Sequence, residues 1–493
     1  MLLKIDKSGS QPVYRQIIME IKALIEQGVL EAGKPLPSTR TLAKKLGVNR
    51  STVYQAYEEL QALGHLESRP GSYNIVQRRQ KEVAYNPERK SSISWEKASR
   101  EEAKKIYETF LRYSPEISRF SKYKGKAISL AALDPDPRLF PIHEFRRCLN
   151  HVLRSSGTQS LEYGAHKGYR PLREYIAQRL RLHGISVSEE EILITNGAQQ
   201  GIDLIARLLA RPNKKVVVEA PTYANVIPLL EFNGMKILAV PVKYNGMDLA
   251  YLEKYLEKQE VSFVYTMPNF QNPTGTTTSH HHRERLLSLC LEHKVPIVED
   301  GFEEDMKYFG KVPLPIKSID EKNIVIYLGT FSKALFPGLR IGWITADKEC
   351  IERLAAIKRF SDLSSGNLVQ IVMHDFCRQG YYDLHLKRLH RVFRRRMQVA
   401  LKTIEECFPK AVDWTRPMGG YTIWVKIPKK LTEAELHEFL NPYGVSVSPG
   451  VYYFPKETSS EYFRIAIARL NEEEIREGLL RLGKALQKLS RSA

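Results

Sequence analysis

The hydrophobic and polar positions of this chain change period as it proceeds. In QPVYRQIIMEIKALIEQGVL (11–30), Val13, Ile17, Ile21, Leu24 and Ile25 recur at helical spacing and Gly28 stands at the end, which predicts an amphipathic helix. In GKPLPSTRTLAKKLGVNRSTVYQAYEEL, Ser38 after Pro37 is a helix N-cap and Thr39 to Leu46 a short helix. Gly47 ends that helix, and Asn49 opens another that runs to about Leu63. Two helices joined by a glycine-containing turn form a helix-turn-helix. GHLESRPGSYNIV then alternates as a hairpin does, which predicts a wing.

From Gln77 to about Gly125 the sequence is highly charged and predicts no strand, only a helix within Ile93 to Leu111. It reads as a linker. After Lys126, short apolar runs alternate with amphipathic helices: EILIT (191–195), KVVVEA (215–220), KILAVPV (236–242), SFVYTMP (262–268), VPIVED (295–300), NIVIYLG (323–329) and RIGWIT (340–345). This predicts an α/β fold with a largely parallel, doubly wound sheet, whose ligands sit at the carboxyl ends of the strands. The expected division is 1–78, 79–125 and 126–493, the last with a large part of about 160–350 and a smaller α+β part of about 126–159 and 351–493.

With 493 residues, 43% of them hydrophobic, the chain has the length for several domains and the material for a large core. A net charge of +19 is consistent with a polyanionic partner and equally with a lysine- and arginine-rich surface. Five scattered cysteines without a CxxC pair argue against a disulfide framework or zinc site and suit the cytoplasm. No window approaches the ~18 continuous apolar residues of a membrane span, and MLLKIDKSGS lacks a signal peptide's apolar stretch. No metal site is expected: His280, His281 and His282 read as solvated positions at a helix start, and RVFRRRMQ (391–398) as a solvated basic face.

The chemistry gathers where strands end. In NGAQQGIDLI (196–205), Gly197, Ala198 and Gln199 lie where free N–H groups at a helix N-terminus bind phosphate. PNFQNPTG (268–275) holds Asn272 in a rigid turn, and Asp300 ends a strand with its carboxylate toward the same crevice. In GTFSKALFPGLRIGW (329–343), Lys333 follows a strand with Thr330 and Ser332 beside it and Arg340 entering the next strand. A desolvated lysine in such a loop is a nucleophile of the Schiff-base type, and pyridoxal 5′-phosphate (PLP) needs a carboxylate opposite its ring nitrogen. Asp300 supplies that carboxylate, and Thr330, Ser332, Arg340 and the turn at Gly197 a phosphate site. At the other end of the chain, Asn49, Arg50, Ser51, Thr52 and Tyr54 form the polar first turn of a recognition helix, with Arg40 and Arg69 placed to reach phosphates or bases.

PLPSTRTLAKKLGVNRSTVYQAYEELQALG resembles the winged helix of the GntR superfamily over about residues 10 to 76. That resemblance implies that Arg40, Asn49, Arg50, Ser51, Thr52, Tyr54 and the wing tip around Gly71 face a double-stranded DNA operator. Residues 126 to 485 resemble the fold-type I aminotransferases. This likeness implies that Lys333 carries the PLP Schiff base, Asp300 pairs with the pyridinium, Asn272 contacts the ring hydroxyl and Tyr223 stacks on the ring. It implies further that Tyr163 reaches the phosphate of the partner in a homodimer and that Arg464 clamps a carboxylate. Phe302 departs from the pattern, standing where many relatives have a hydroxyl-bearing tyrosine. The fusion, with a PD-x-x-LFP segment in ISLAALDPDPRLFP, resembles the MocR/GabR-type regulators. It implies a transcriptional regulator that senses an amino compound, or PLP itself, at Lys333. A working aminotransferase with an attached DNA-binding module, and a repressor whose pocket is only scaffold, remain the alternatives; intact Lys333, Asp300 and Arg340 speak against the second.

Overall fold

The computed structural model describes residues 3–69, 73–77, 91–113, 125–211, 214–310 and 312–491. The chain forms two compact units, Met1–Ser94 and Trp95–Ala493.

In the first unit, helices Val13–Glu26, Thr39–Leu46 and Arg50–Ala62 precede an antiparallel hairpin, Leu66–Arg69 with Tyr73–Val76. Ser38 caps the second helix by accepting from the Thr41 N–H at 3.2 Å. Gly47 closes it at φ 61°, a conformation a residue with a Cβ adopts only under strain. Ile17, Ile21, Leu42, Val53, Ala56, Tyr57 and Leu60 bury the expected apolar faces, joined by Leu66 and Val76 from the hairpin. The unit is therefore a winged helix-turn-helix.

The second unit begins with Trp95–Ala98 and Glu101–Tyr113. The latter lies along the helix Val226–Phe232, and the Arg100 guanidinium sits 4.5 Å over the Phe232 ring. The main sheet has eight strands in the order Ile192–Thr195, Gly342–Thr345, Val325–Thr330, Ile297–Asp300, Val261–Thr266, Lys215–Ala220, Lys236–Lys243 and Gly246–Met247. The five from Val325–Thr330 to Lys236–Lys243 are mutually parallel, and Val216, Val264, Ile297 and Val325 among them are buried completely. Gly342–Thr345 departs from the parallel expectation and runs antiparallel to both neighbours. The connection 331–341 that leads into it is too short for a crossover helix, so the chain turns straight back. A four-stranded antiparallel sheet, Asp413–Trp414, Thr422–Thr432, Ser459–Ala466 and Ser448–Pro449, forms the smaller part. The long helices Tyr381–Cys407 and Glu472–Arg491 pack with it, the second burying Ile475, Leu479, Leu482, Ala485 and Leu486.

Two expectations are corrected here. The basic run 391–398 is solvated only in part: Arg391, Arg394 and Arg395 are exposed, but Phe393 and Met397 are core residues, and Arg396 is buried against Asp136 at 2.6 Å while donating to the Ala468 carbonyl. His282 is half-buried, and its Nε2 donates to the Met247 carbonyl at 2.8 Å. In both cases a helix face that is polar in sequence meets an acceptor supplied by a distant segment.

The Asp136–Arg396 pair gives the PD-x-x-LFP segment a physical role. Asp136 also accepts from the Arg138 N–H and Nε, so one buried carboxylate fastens this segment to the long helix. Removing one partner leaves the other buried and unpaired, and Asp136→Ala is expected to lower stability by about 3–5 kcal/mol in urea unfolding of the full chain. The Arg138 and Arg396 guanidinia, outweighing burial, hold the Asp136 carboxyl below its ordinary range. Its contribution is accordingly present above the unfolded pKa and lost as pH falls through the folded one, so the variant should differ least from wild type in acid.

Candidate cofactor site and DNA-binding face

The site is built on the tight turn between antiparallel strands. Thr330 ends one strand with its hydroxyl donating to the Ile341 carbonyl at 3.1 Å, and it accepts from the Ser332 N–H at 3.1 Å. That small ring presents Ser332 and Lys333 to the interior. The Ser332 hydroxyl is buried without a partner, and Lys333 Nζ lies 3.4 Å from the Leu133 carbonyl. The Tyr421 hydroxyl donates to the Lys333 carbonyl at 2.8 Å and pins the backbone from the other side.

Arg340 leaves the turn at φ 54° and donates to the Asn196 carbonyl at 3.0 Å. Its guanidinium lies so close to Gly197 that a Cβ there would come within 2.5 Å of it, and Gly197 itself has φ 84°. Only glycine permits this approach of an arginine to the N-terminus of the helix Ala198–Leu209. Backbone N–H groups at a helix N-terminus, an arginine and the unpartnered Ser332 hydroxyl thus converge on one spot, the chemistry of a phosphate cradle.

Asp300 is 3% exposed. Tyr265 donates to one of its oxygens at 2.6 Å, and the other has no partner. Burial raises its pKa to about 6, against the opposing effects of Tyr265 and Lys333. Burial likewise pulls the Lys333 amine below its ordinary value, opposed chiefly by Glu303. Asn272 is buried and accepts from Arg464 at 3.0 Å; Arg464 also donates to the Ala131 carbonyl at 2.6 Å, leaving its Nε without a partner. The Tyr223 hydroxyl donates to Gln199 at 3.2 Å.

A cavity of about 150 Å³ brings Ala198, Gln199, Tyr223, Asn272, Asp300, Thr330, Ser332, Lys333 and Arg340 onto one wall. Gly197 borders it through Arg340, and Arg464 reaches its edge through Asn272. Tyr163 is 84% exposed and takes no part in this wall. Phe302 lines the cavity without a hydroxyl to offer. Sequence reading missed Tyr265, whose hydroxyl meets Asp300 only because their strands lie side by side. It also missed Asp134 on the wall and Glu303 near Lys333. The donor set fits PLP: an unsatisfied buried carboxylate oxygen, an amine depressed by burial, and a cationic cradle opened by a glycine.

In the first unit, Arg40, Asn49, Arg50, Ser51 and Tyr54 are exposed and Thr52 is half-buried, on the side opposite the buried Val53, Ala56 and Tyr57. Arg50 Nε lies 3.4 Å from the Thr39 hydroxyl across the turn. Gly71 and the side chain of Arg69 lie outside the described residues.

Fold and site define an aminotransferase-like domain preceded by a winged helix. Residues 134–482 match the family described as aminotransferase class I and II, and residues 13–73 the bacterial regulatory proteins of the gntR family. The chain belongs to the class I and II aminotransferase family, in the MocR-type form that carries a GntR DNA-binding module ahead of that domain. It is 36% identical over 366 residues to an aromatic-amino-acid aminotransferase of Thermococcus litoralis, covering 73% of this chain and 88% of that one. Over 484 residues it is 31% identical to the uncharacterized HTH-type transcriptional regulator YdfD of Bacillus subtilis, covering 98% of each. Among solved structures, LysN, the alpha-aminoadipate aminotransferase of Thermus thermophilus complexed with N-(5′-phosphopyridoxyl)-L-leucine, superposes with a TM-score of 0.74 at 32% identity, over 81% of this chain and all of that one.

Tyr265→Phe removes the hydroxyl that Asp300 accepts from. A hydrogen bond to a charged group is worth about 1.5–3 kcal/mol, so PLP retention is expected to weaken at least about tenfold in equilibrium dialysis. Unchanged retention would show that Asp300 does not need this donor.

Proposed function

We propose that this chain is a PLP-dependent transcriptional regulator whose aminotransferase-like domain binds an amino compound and thereby changes the hold of its winged helix on double-stranded DNA. The reading rests above all on a cavity that retains Lys333, Asp300 and Arg340 together in a chain whose recognition helix keeps its polar face exposed. Its agreement with YdfD over 98% of both chains, winged helix included, supports it. The proposed divisions are a DNA-binding domain at 1–78, a linker at 79–125 and the PLP-binding domain at 126–493.

PLP, when bound, supplies a carbonyl that captures primary amines reversibly and a ring that withdraws electrons. Lys333, depressed by burial, is the chain's own amine for that carbonyl and gives way to an incoming one. Asp300 would face the ring nitrogen, Tyr223 and Asn272 would hold the ring and its hydroxyl, and Gly197, Ala198, Gln199, Thr330, Ser332 and Arg340 would hold the phosphate. Arg464 receives a carboxylate, which makes an amino acid the natural effector. To do so it exchanges its bonds to Asn272 and Ala131, and the tie of the strand Ser459–Ala466 to those two segments changes with them.

A homodimer fits the surface. Asn367 reaches the Gln159 carbonyl and Arg359 meets His166, so the exposed Leu161 and Tyr163 stand beside the exposed Phe360 and Leu363. A second copy would cover this apolar patch and bring Tyr163 to its neighbour's phosphate. No helix among the described residues is long and apolar enough to cross a membrane, and a DNA partner fits a cytoplasmic location. The transaminase reading is carried by the same Lys333–Asp300 pair; turnover of an amino acid with a keto acid distinguishes it.

The wild type is expected to show a visible cofactor band that Lys333→Ala loses or shifts; a protein that stays colourless with added PLP would refute the reading. Arg464→Ala should keep the band while DNA affinity stops responding to an amino acid. Arg50→Ala should weaken DNA binding by about 1–3 kcal/mol in fluorescence anisotropy if Arg50 reads a base.

A further inference from the structure

Beside the cofactor cavity lies a second one of about 20 Å³, room for a single water. The two share Phe302, Thr330 and Lys333, and the second is walled further by Glu303, Tyr327 and His183. Glu303 is 1% exposed. One of its oxygens accepts from the Tyr421 N–H at 3.2 Å, and the other is buried with no partner. The residue that holds Glu303 by its N–H is thus the one whose hydroxyl holds the Lys333 carbonyl. The space for the carboxylate exists because Gly420, at φ 67°, has no side chain: a Cβ there would lie 2.4 Å from the Glu303 oxygen. A carboxyl group kept in the core, half-satisfied and outside the cofactor wall, has no part in the roles assigned above.

We propose that Glu303 is the proton acceptor for Lys333, a positioning residue that stores the amine's proton while the amine is in use. The N–H bond at Nζ breaks, the electron pair stays on nitrogen, and the proton forms an O–H bond on the free Glu303 oxygen, across the water the small cavity accommodates. The pair passes from ammonium and carboxylate to amine and carboxylic acid with no net charge in either state. Neither half is ever left as a lone buried ion, which would cost several kcal/mol. Burial drives the two groups toward each other, raising the Glu303 pKa and lowering that of Lys333. Lys333 also feels Asp134, Asp300 and Arg464; Glu303 also faces Asp300, Arg464, Tyr308 and Tyr421, and shares its cavity with Glu304, Asp305, Arg179 and His183.

The inference rests on Lys333 being the amine that captures PLP, and one experiment separates the two claims. Full-length protein stripped of cofactor is mixed with PLP, and the rate at which the visible band grows is followed against pH for wild type, Glu303→Gln and Glu303→Asp. Capture needs the uncharged amine, and a facing carboxylate favours the ammonium. In Glu303→Gln the midpoint of the rate profile should therefore fall by about one pH unit or more. In Glu303→Asp the carboxyl is drawn back by one methylene, and the midpoint should lie between the other two. A purely structural residue would change the rate at every pH and leave the midpoint in place. An unchanged midpoint in either variant that folds overturns the proposal, whereas a wild type that captures no PLP overturns the function assigned to Lys333 itself.

Discussion

A lysine amine enclosed at the carboxyl edge of a sheet is the constraint on which the rest of this site depends. An unpaired ammonium in a dry interior is too costly to persist, so its surroundings must either neutralise it or employ it. The neutralising groups are visible. Burial depresses Lys333, while Asp300, Asp134 and Glu303 oppose that depression from different sides. The amine consequently loses its proton more readily than a solvated lysine does, the direction in which a nucleophilic amine is activated.

The placement of Lys333 follows from strand direction. Because the chain reverses between Val325–Thr330 and Gly342–Thr345 instead of crossing over, the connecting turn stays at the edge of the sheet where the parallel strands deliver their last residues. Asp300 arrives there on the neighbouring strand and Tyr265 on the next. The antiparallel return also carries Arg340 back toward the N-terminus of the helix Ala198–Leu209, at the one glycine that can receive it. A fully parallel sheet would send the chain away through a helix and disperse these groups.

Arg464 couples this chemistry to the smaller part of the domain. It stands on the strand Ser459–Ala466, yet bonds Asn272 from the large part and Ala131 from the segment that covers the cavity. A ligand that takes over those bonds exerts a differential free energy on the arrangement of the domain, which is the condition any allosteric effector must meet. Asp136 holds the covering segment to the long helix through Arg396, so that segment is tied at two points, there and at Arg464 through the Ala131 carbonyl.

The sequence by itself determined what depends on local pattern. Period and punctuation located the winged helix, the strand runs and the turn that bears Lys333, and residue chemistry singled out eight residues that line one cavity, with Tyr223 added by the family resemblance. Tertiary structure alone decided which distant groups complete them. Tyr265 and Asp300 are 35 residues apart, and no periodicity reports that their strands are neighbours. Arg396 and His282 read as solvated because their helix faces are polar, and only the fold supplies Asp136 and the Met247 carbonyl to receive them. Glu303 stands in an acidic run that resembles any charged turn, and its burial depends on the side chain that Gly420 lacks. Local sequence sets backbone preference and amphipathic face, whereas burial and partnership are properties of segments brought together from far along the chain.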